Sequence, residues 1–163
     1  MKKLIIIRHA KSSWDDPFLD DHQRPLAERG LRDCPRMGQR LKRRDVMPDL
    51  IISSDAERAK STALIISEQL HFPKNQIQFT RELYHASSSE IMKVIKKVNN
   101  DYDTLMIFGH NPGFNDLIWD LGEEIENLPT SGQFGFMFEV DSWDRVGKYN
   151  ASMWFYDFPK NQE

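Results

Sequence analysis

The chain lacks the sequence features that mark secreted and membrane proteins. It has a single cysteine, Cys34, in 163 residues, so an intramolecular disulfide is impossible and a reducing compartment is indicated. The apolar run after Met1-Lys2-Lys3 is only four residues long, from Leu4 to Ile7. That run is too short for the apolar region of a secretory signal or for a membrane span. We therefore expect a soluble, cytoplasmic protein without a membrane partner.

Neither sign of charge dominates the chain. The 22 basic and 25 acidic residues are interleaved and give a formal net charge of -3. A charge balance of this kind argues against a surface that is attracted as a whole to nucleic acid or membrane. The basic run within 36–44 is interpreted as the solvated end of a helix, where cations are favoured, so nucleic acid is not an expected partner. Any anion site must therefore be local.

Glycine and proline are sparse, at eight residues each, and no repeat, low-complexity tract or linker interrupts the chain. A hydrophobic fraction of 39% is enough for one core, so residues 1–163 are predicted to form a single domain. Short apolar runs alternate with amphipathic segments, which is typical of an α/β fold. The prediction is a single-domain three-layer sandwich with a mostly parallel central sheet and an antiparallel edge.

The predicted elements follow from these runs and from turn and capping residues. Four strands are predicted, at Leu4–Ile7, Leu50–Ser53, Ile77–Phe79 and Leu105–Phe108. Four helices are predicted, over Leu26–Arg44, after a capping box at Ser54–Glu57, after a cap at Ser88 or Ser89, and after Asn111-Pro112. Phe134–Val140 and Ala151–Phe158 alternate apolar and polar residues, and with a turn around Gly147–Asn150 they predict an edge hairpin.

Basic or imidazole side chains follow three of the predicted strands. Arg8 and His9 come directly after the first strand, Arg58 shortly after the second, and His110 after the strand that ends at Phe108. The carboxyl ends of parallel strands open onto one crevice, so these side chains are expected to converge. The pattern predicts an anion site with a nucleophilic imidazole.

The chemistry of these residue types favours phosphoryl transfer. A neutral imidazole is nucleophilic near pH 7, and a carbonyl that accepts from one ring nitrogen of His9 would leave the other free to attack phosphorus. Arg8 and Arg58 present planar donor forks that suit the oxygens of a phosphoryl group. Each charge pair at about 4 Å contributes roughly 4 kcal/mol at an effective dielectric near 20, so two arginines and a protonated His110 are expected to hold a dianion.

Three motifs also carry a family resemblance. Arg8-His9-Ala10, Ser53–Ala59 and Gly109–Pro112 resemble, in this order, the signature segments of the histidine phosphatase superfamily, the phosphoglycerate mutase-like phosphatases. Arg24–Gly30 and the region Trp143–Pro159 are similar to its small branch, typified by phosphohistidine phosphatase SixA.

The resemblance implies a hydrolase that works without metal or cofactor and forms a phosphohistidine intermediate. His9 would take the phosphoryl group, and Arg8, Arg58 and His110 would bind it and stabilise the transition state. Glu82, just past the third strand, resembles the acid that protonates the leaving group, and a surface carboxylate is the competing interpretation. The implied substrate is phosphohistidine in a protein, with small phosphate esters second, because the chain has room for one helix but no lid domain after Glu82.

Some residues depart from the family pattern or have a simpler interpretation. Ala10 replaces a glycine, and Asp15 stands where many members carry an asparagine, so Asp15 is left out of the catalytic set. The three other histidines are interpreted as surface or core residues; they are His22, His71 and His85. Trp14 and Phe18 are expected either to form the rim of the pocket or to anchor its loop.

Two other classes of function stay open at the sequence level. A phosphate-binding module with little turnover would keep the same anion site, with Asp15 as the residue that weakens catalysis. Metal-dependent hydrolysis would use two histidines and an acidic cluster, although no regular metal-ligand spacing is present. The residues considered for it are His9, His22, Asp15, Asp16, Asp20 and Asp21. The oligomeric state is not predicted.

Overall fold

The fold is built on one six-stranded sheet with four α-helices. The computed structural model describes residues 1–161. The strands are β1 Lys2–Arg8, β2 Leu50–Ser54, β3 Gln78–Thr80, β4 Thr104–Gly109, β5 Gln133–Phe138 and β6 Ala151–Asp157. The helices are α1 Glu28–Arg43, α2 Glu57–Gln69, α3 Ser88–Lys96 and α4 Gly113–Asp120.

The strand order is β3-β2-β4-β1-β5-β6. β1 and β2 both pair in parallel with β4, and β3 pairs in parallel with β2. β5 runs antiparallel to β1, and β6 runs antiparallel to β5. The predicted α/β fold, with a mostly parallel sheet and an antiparallel edge, is therefore confirmed. Because β1, β2 and β4 are adjacent and parallel, their carboxyl ends share one edge of the sheet.

The sheet has a hydrophobic core on each face, since every residue of Leu4–Ile7 is buried. Leu4 and Ile6 pack toward α3 and α4, with Ile91 and Phe114. Ile5 and Ile7 belong to the other core, which includes the inner faces of α1 and α2. Alternate side chains of a strand point to opposite faces, so one continuous apolar run serves both cores. This arrangement forms the three layers that the sequence predicts.

Several element boundaries differ from the prediction. The capping box of α3 forms one residue earlier than predicted, between Ser87 and Glu90. The capping box predicted at Ser54–Glu57 does not form, because α2 begins after Ala56 and the Ser54 hydroxyl lies against His110 instead. α4 begins at Gly113, one residue after Pro112. A tertiary contact replaces the expected cap of α2 and a neighbouring serine that of α3, whereas the predicted Asn111 of α4 still accepts from the Asn115 amide at 3.1 Å.

The remaining elements match their predictions closely. α1 continues through Pro35 as one helix, and the predicted hairpin is present as β5 and β6. Its connection is longer than a tight turn and contains the short 3₁₀ helices Trp143–Arg145 and Lys148–Asn150. Within residues 1–161, no helix is both long enough and apolar enough to cross a membrane.

Candidate active site

The predicted site residues gather where β1, β2 and β4 end. Arg8 is the last residue of β1 and pairs with Gly109 at the end of β4, so His9 and His110 leave the sheet side by side. The two imidazole ring centroids are 5.2 Å apart. Arg58 lies in the first turn of α2, directly after the end of β2. The parallel sheet therefore brings Arg8, His9, Arg58 and His110 together, as the sequence predicts.

These four side chains line one surface pocket of about 240 Å³. The strand-end loops, together with segments that the sequence analysis left outside the site, form the rest of its wall. The lining residues are Arg8, His9, Lys11, Ser12, Trp14, Arg24, Arg58, His85, His110, Asn111 and Thr130. Cationic and imidazole side chains dominate this wall, so the pocket suits an anion.

His9 is held in one tautomer. Its Nδ1 lies 2.8 Å from the carbonyl oxygen of Ala10, which can only accept, so Nδ1 carries the proton and Nε2 keeps its lone pair. Burial lowers the pKa of His9 to about 3, and the charges of Arg58 and Arg8 add to this effect. The Ala10 hydrogen bond opposes the shift without reversing it. His9 is therefore a neutral imidazole near pH 7, with Nε2 as its free nucleophilic atom.

His110 is also neutral, which differs from the expectation of a protonated ring. Burial lowers its pKa to about 2, with further contributions from His9 and Arg58. Its Nε2 lies 2.8 Å from the Ser54 hydroxyl at the end of β2. Its Nδ1 is buried and has no hydrogen-bond partner among residues 1–161. The sequence placed His110 correctly, but a sequence does not reveal how strongly its surroundings oppose a positive charge.

Arg8 and Arg58 are fixed by backbone oxygens. Arg8 donates from Nη1 to the carbonyl of Leu128 at 3.0 Å, and its buried Nε has no partner within the described chain. Arg58 donates from Nη1 to the carbonyl of Asp21 at 2.6 Å. Burial lowers the pKa of Arg8, and the charge of Arg58 lowers it further. The two positive charges repel each other, so an anion bound between them would be favoured.

Arg24 is a third arginine of the pocket, to which the sequence analysis gave no role. Its Nε donates to the carbonyl of Ser13 at 3.1 Å, and its terminal nitrogens donate to the Ser12 hydroxyl and the Asp21 carboxylate. The Trp14 ring lies over the guanidinium carbon, with its centroid at 3.2 Å. Trp14 therefore lines the pocket, which is the first of the two roles predicted for it. It also stacks on the Arg24 guanidinium.

Asp21 connects the arginines to the far wall of the pocket. Its carboxylate accepts from Arg58 at 2.9 Å, from Tyr84 at 2.6 Å and from Arg24 at 3.0 Å. The ring of His85 reaches the same carboxylate, with Nε2 at 3.1 Å. Burial alone would raise the pKa of Asp21, but these hydrogen bonds outweigh it and hold that pKa well below its ordinary value. Asp21 is therefore an anion that orients two guanidinium groups.

Glu82 is not brought into this pocket. It is exposed on the 3₁₀ helix Arg81–Leu83 and lines grooves on the other side of that turn, with Lys97 among its neighbours. His85 lines the pocket instead, and Tyr84 donates to the Asp21 carboxylate beside it. The His85 ring lies 5.6 Å from that of His110. The side chain of this segment that lines the pocket is His85, three positions after Glu82.

The other residues considered in the sequence lie apart from the reacting groups. Asp15 is exposed and does not line the pocket, and Phe18 is exposed as well. His22 pairs with Asp55 at 2.7 Å rather than with His9. Across the described part of the chain, no group of three or more His, Cys, Asp or Glu side chains is arranged to hold a metal ion.

A neutral imidazole and three arginines, at the carboxyl edge of a parallel sheet, form a site suited to an anion. The sequence profile of the histidine phosphatase superfamily (branch 1) matches residues 4–114. This range covers the strand ends that carry Arg8, His9, Arg58 and His110. The chain therefore belongs to the histidine phosphatase superfamily.

Individual proteins are similar to this chain in sequence or in fold. An uncharacterized chloroplastic protein of Arabidopsis thaliana is 34% identical over 123 residues, which are 71% of this chain and 56% of that protein. The chain thus spans little more than half the length of that relative. A structure from Agrobacterium tumefaciens, provisionally named phosphohistidine phosphatase SixA, has a TM-score of 0.82 at 24% identity and covers 97% of this chain and 98% of its own. The protein histidine phosphatase SixA complexed with tungstate has a TM-score of 0.81 at 20% identity, with coverage of 96% and 97%. The two structures show that the fold is shared over nearly the whole chain.

Sequence patterns do not predict three residues of the site: Arg24 and His85 line the pocket, and Asp21 contacts both of them. Arg24 lies inside a segment similar to the family but has no predicted role, Asp21 is predicted only as a candidate metal ligand, and His85 is predicted to be a surface or core residue. All three reach the site from loops, where the strand-end rule gives no signal. The pairing of Asp21 and Arg24 three residues apart was the one available hint, because that spacing allows an ion pair.

Proposed function

We propose that this chain is a phosphatase that transfers a phosphoryl group from phosphohistidine in a protein to His9, and then to water. The observation that carries the proposal is the free Nε2 of a neutral His9, left unprotonated by the hydrogen bond from Nδ1 to Ala10. Arg8, Arg24 and Arg58 supply donors around it. A nucleophile and positive charge for three phosphoryl oxygens are the two requirements of this chemistry.

The reaction has two steps. In the first, a bond forms between His9 Nε2 and phosphorus while the bond from phosphorus to the substrate nitrogen breaks, and the departing imidazole takes up a proton from solvent water. In the second, a water oxygen attacks phosphorus, the bond to Nε2 breaks, and His9 returns to its neutral form as phosphate leaves. Arg8, Arg58 and His110 stabilise the charge in both transition states.

The preference for phosphohistidine rests on the leaving group and on the pocket. A phosphorylated imidazole leaves more readily than an alkoxide and needs less help from an acid, which agrees with a pocket that Glu82 does not enter. The pocket opens to the surface, so a protein side chain can reach it. Tungstate, a tetrahedral oxyanion like phosphate, is bound by the SixA structure that this fold resembles.

The test is phosphate release from a panel of a phosphohistidine protein, phosphoserine and a sugar phosphate, by the native chain and by His9→Ala. We expect the phosphohistidine protein to be hydrolysed with the largest kcat/KM, and His9→Ala to lose at least about 10³-fold. Rapid quenching of the native chain should trap an acid-labile phosphoryl group on His9, detected by mass spectrometry. Equal rates for the two proteins would remove His9 as the nucleophile.

The same panel decides between the alternatives. A larger kcat/KM for a small ester would make the chain a small-molecule phosphomonoesterase, and phosphate binding without release would make it a binding module. Undiminished turnover in the presence of a chelator is expected, because the proposed steps use no metal. A cytoplasmic location stays a prediction from the sequence.

A further inference from the structure

A second concavity lies next to the catalytic pocket. It has a volume of about 300 Å³ and runs between the exposed face of α1 and the end of β6, and Thr130 lines both it and the pocket. We call it the α1 groove, defined by Arg29, Arg32 and Arg36 on one side and by Phe158–Lys160 on the other. A substrate larger than the pocket would extend directly into this groove.

The α1 groove concentrates positive charge on a chain that is negative overall. Arg29, Arg32 and Arg36 share one face of α1 because they are spaced by three and four residues. Asp33 is the acid of the lining and is largely covered, with Arg32 at 3.3 Å and Arg36 at 3.9 Å. With Lys160 the lining has four cations and one carboxylate, whereas the net charge of the whole chain is -3.

Two of these cations are free to bind a partner. Arg29 and Lys160 are exposed, and neither makes a hydrogen bond or ion pair within residues 1–161. Arg32 and Arg36 share one carboxylate oxygen of Asp33, and their side chains stay 64% and 60% exposed, so each keeps donors for a second anion. Exposed guanidinium groups spaced along a groove suit carboxylates, which they can bind in a bidentate way.

The position of the α1 groove is fixed relative to the reacting groups. The Ala27 amide donates to the Lys11 carbonyl at 2.8 Å, and Lys11 lines the catalytic pocket. On the opposite side, the amide of Ser131 donates to the carbonyl of His9 at 3.1 Å. Backbone hydrogen bonds thus tie α1 and the segment next to Thr130 to the loop that carries His9. A partner held in the groove is held in register with His9.

We infer that the α1 groove binds acidic residues that flank the phosphorylated histidine of a protein substrate. The inference rests on the proposed function and adds a second recognition site to it. The groove continues from the pocket that takes the phosphorylated side chain, so its natural occupant is the neighbouring polypeptide. Pro129, Phe158 and Pro159 give it an apolar floor for the aliphatic parts of Asp and Glu side chains.

The test compares matched charge reversals. Arg29→Glu/Lys160→Glu removes the two free cations of the α1 groove, and Lys96→Glu/Lys148→Glu makes the same change in charge at exposed residues that line neither the groove nor the pocket. Labelled phosphate-free peptides, one rich in Glu and one neutral, report binding by fluorescence anisotropy at low salt. Phosphohistidine peptides with the same flanks, and an aryl phosphate, report kcat/KM.

We expect the native chain to bind the acidic peptide at least about tenfold more tightly than the neutral one, and the groove variant to lose that preference. The groove variant should also lose about tenfold in kcat/KM on the acidic phosphohistidine peptide, while its aryl phosphate turnover stays within twofold of native. The surface variant should resemble the native chain in each measurement, because it leaves the groove unchanged.

Three results would overturn the inference: no preference for the acidic peptide, equal losses in both double variants, or an oligonucleotide of equal charge that binds the groove more tightly than the peptide. The anisotropy arm needs no turnover. An absence of phosphate release from every substrate would therefore count against the proposed phosphatase, while the binding of the acidic peptide would still decide the role of the groove.

Discussion

The proton for a poor leaving group is best placed on His85. Its Nε2 lies 3.1 Å from the Asp21 carboxylate, and its ring lines the pocket, whereas Glu82 lies outside. An imidazole that lines the pocket can reach a bound leaving group, as general acid catalysis requires. We predict that His85→Gln lowers kcat/KM for an alkyl phosphate by about tenfold to 100-fold and has a smaller effect on phosphohistidine, whose leaving group is better.

Glu82→Gln is the matched control for this prediction, because it neutralises the acid that the sequence resemblance suggested. Its kcat/KM on both substrates should stay within about threefold of native. Steady-state rates of phosphate release measure both variants. A large loss for Glu82→Gln together with an unchanged His85→Gln would return the role to Glu82 and would require the loop 81–85 to rearrange when substrate binds.

The buried imidazole of His110 predicts how stability depends on pH. Its pKa is lowered to about 2 by burial, followed by the charges of His9 and Arg58, while an unfolded histidine titrates near 6.5. The unfolded chain therefore takes up a proton below about pH 6.5 that the folded chain does not, and the free energy of unfolding falls as pH falls. The slope is about 1.4 kcal/mol per pH unit for each such histidine.

In His110→Gln the free energy of unfolding should fall less steeply with pH, by about 1.4 kcal/mol per pH unit, which corresponds to one proton. The difference should be measured between about pH 6 and pH 4.5, above the range where most carboxylates titrate. Urea unfolding at several pH values measures the effect. His71→Asn is the control, because His71 is exposed and asparagine tolerates its positive φ of 57°. Parallel curves for the native chain and His110→Gln would show that His110 is already protonated in the folded state.

At the scale of elements, the contact between α1 and the loop after β1, which contains His9 and Lys11, depends on Gly30. A Cβ built on Gly30 would lie 2.3 Å from the carbonyl oxygen of Lys11, far inside van der Waals contact. We predict that Gly30→Ala lowers the free energy of unfolding by about 1–3 kcal/mol, the usual cost of forcing atoms into a packed site. Because Lys11 lines the pocket, kcat should also fall.

Gly147→Ala separates the effect of close packing from the loss of a glycine. No heavy atom lies within 4 Å of a Cβ at Gly147, and its φ of -179° is extended backbone that any residue adopts. Urea unfolding and aryl phosphate turnover of this variant should match those of the native chain. If Gly30→Ala were equally harmless, α1 would be free to shift away from the pocket, and the fixed register between the α1 groove and His9 would be lost.

Sequence patterns predicted elements better than helix starts. Leu4–Ile7 is apolar throughout, and that alone indicated a strand covered on both faces, as the structure confirms. The start of α2 was harder to predict. Serine is a residue type that often caps helices, but the Ser54 hydroxyl contacts His110 instead. A local pattern does not reveal that a distant strand end competes for the same hydroxyl. For this reason the wrongly predicted capping box lies next to the pocket, where Ser54 contacts His110.

The whole molecule explains which site residues were predictable. Arg8, His9 and His110 leave adjacent parallel strands, and Arg58 opens the helix after a third, so the topology fixes them once the strands are recognised. Asp21, Arg24 and His85 reach the pocket through loops, and their positions depend on contacts between segments far apart in sequence, such as Tyr84 with Asp21 at 2.6 Å. Strand patterns carry no information about those contacts.

The first helix and the last strand are joined by a buried ion pair. Arg40 of α1 donates to Asp157 of β6 at 3.1 Å, and also to the carbonyl of Phe158 at 2.9 Å. Asp157 is fully buried, and its second oxygen lies 3.6 Å from the half-exposed Arg44. Removing one partner of a buried pair leaves an uncompensated charge, which costs about 3–5 kcal/mol. We predict a loss of this size for Arg40→Met, measured by urea unfolding.

The double variant Arg40→Met/Asp157→Asn isolates the contribution of the buried charge. Every other contact of Arg40 is lost in both variants, so the difference between them reports the carboxylate alone, and we expect the double variant to recover at least about 1 kcal/mol. Arg44→Met should cost less, about 1 kcal/mol, because its guanidinium is partly exposed and more distant. If the double variant were as unstable as Arg40→Met, the Asp157 carboxylate would already be compensated without Arg40.

None of these residues lines the catalytic pocket, so kcat well below the unfolding transition should stay within about twofold of native in all three variants. A change in kcat without a change in stability would instead show that the contact between α1 and β6 influences the position of the loop that contains His9.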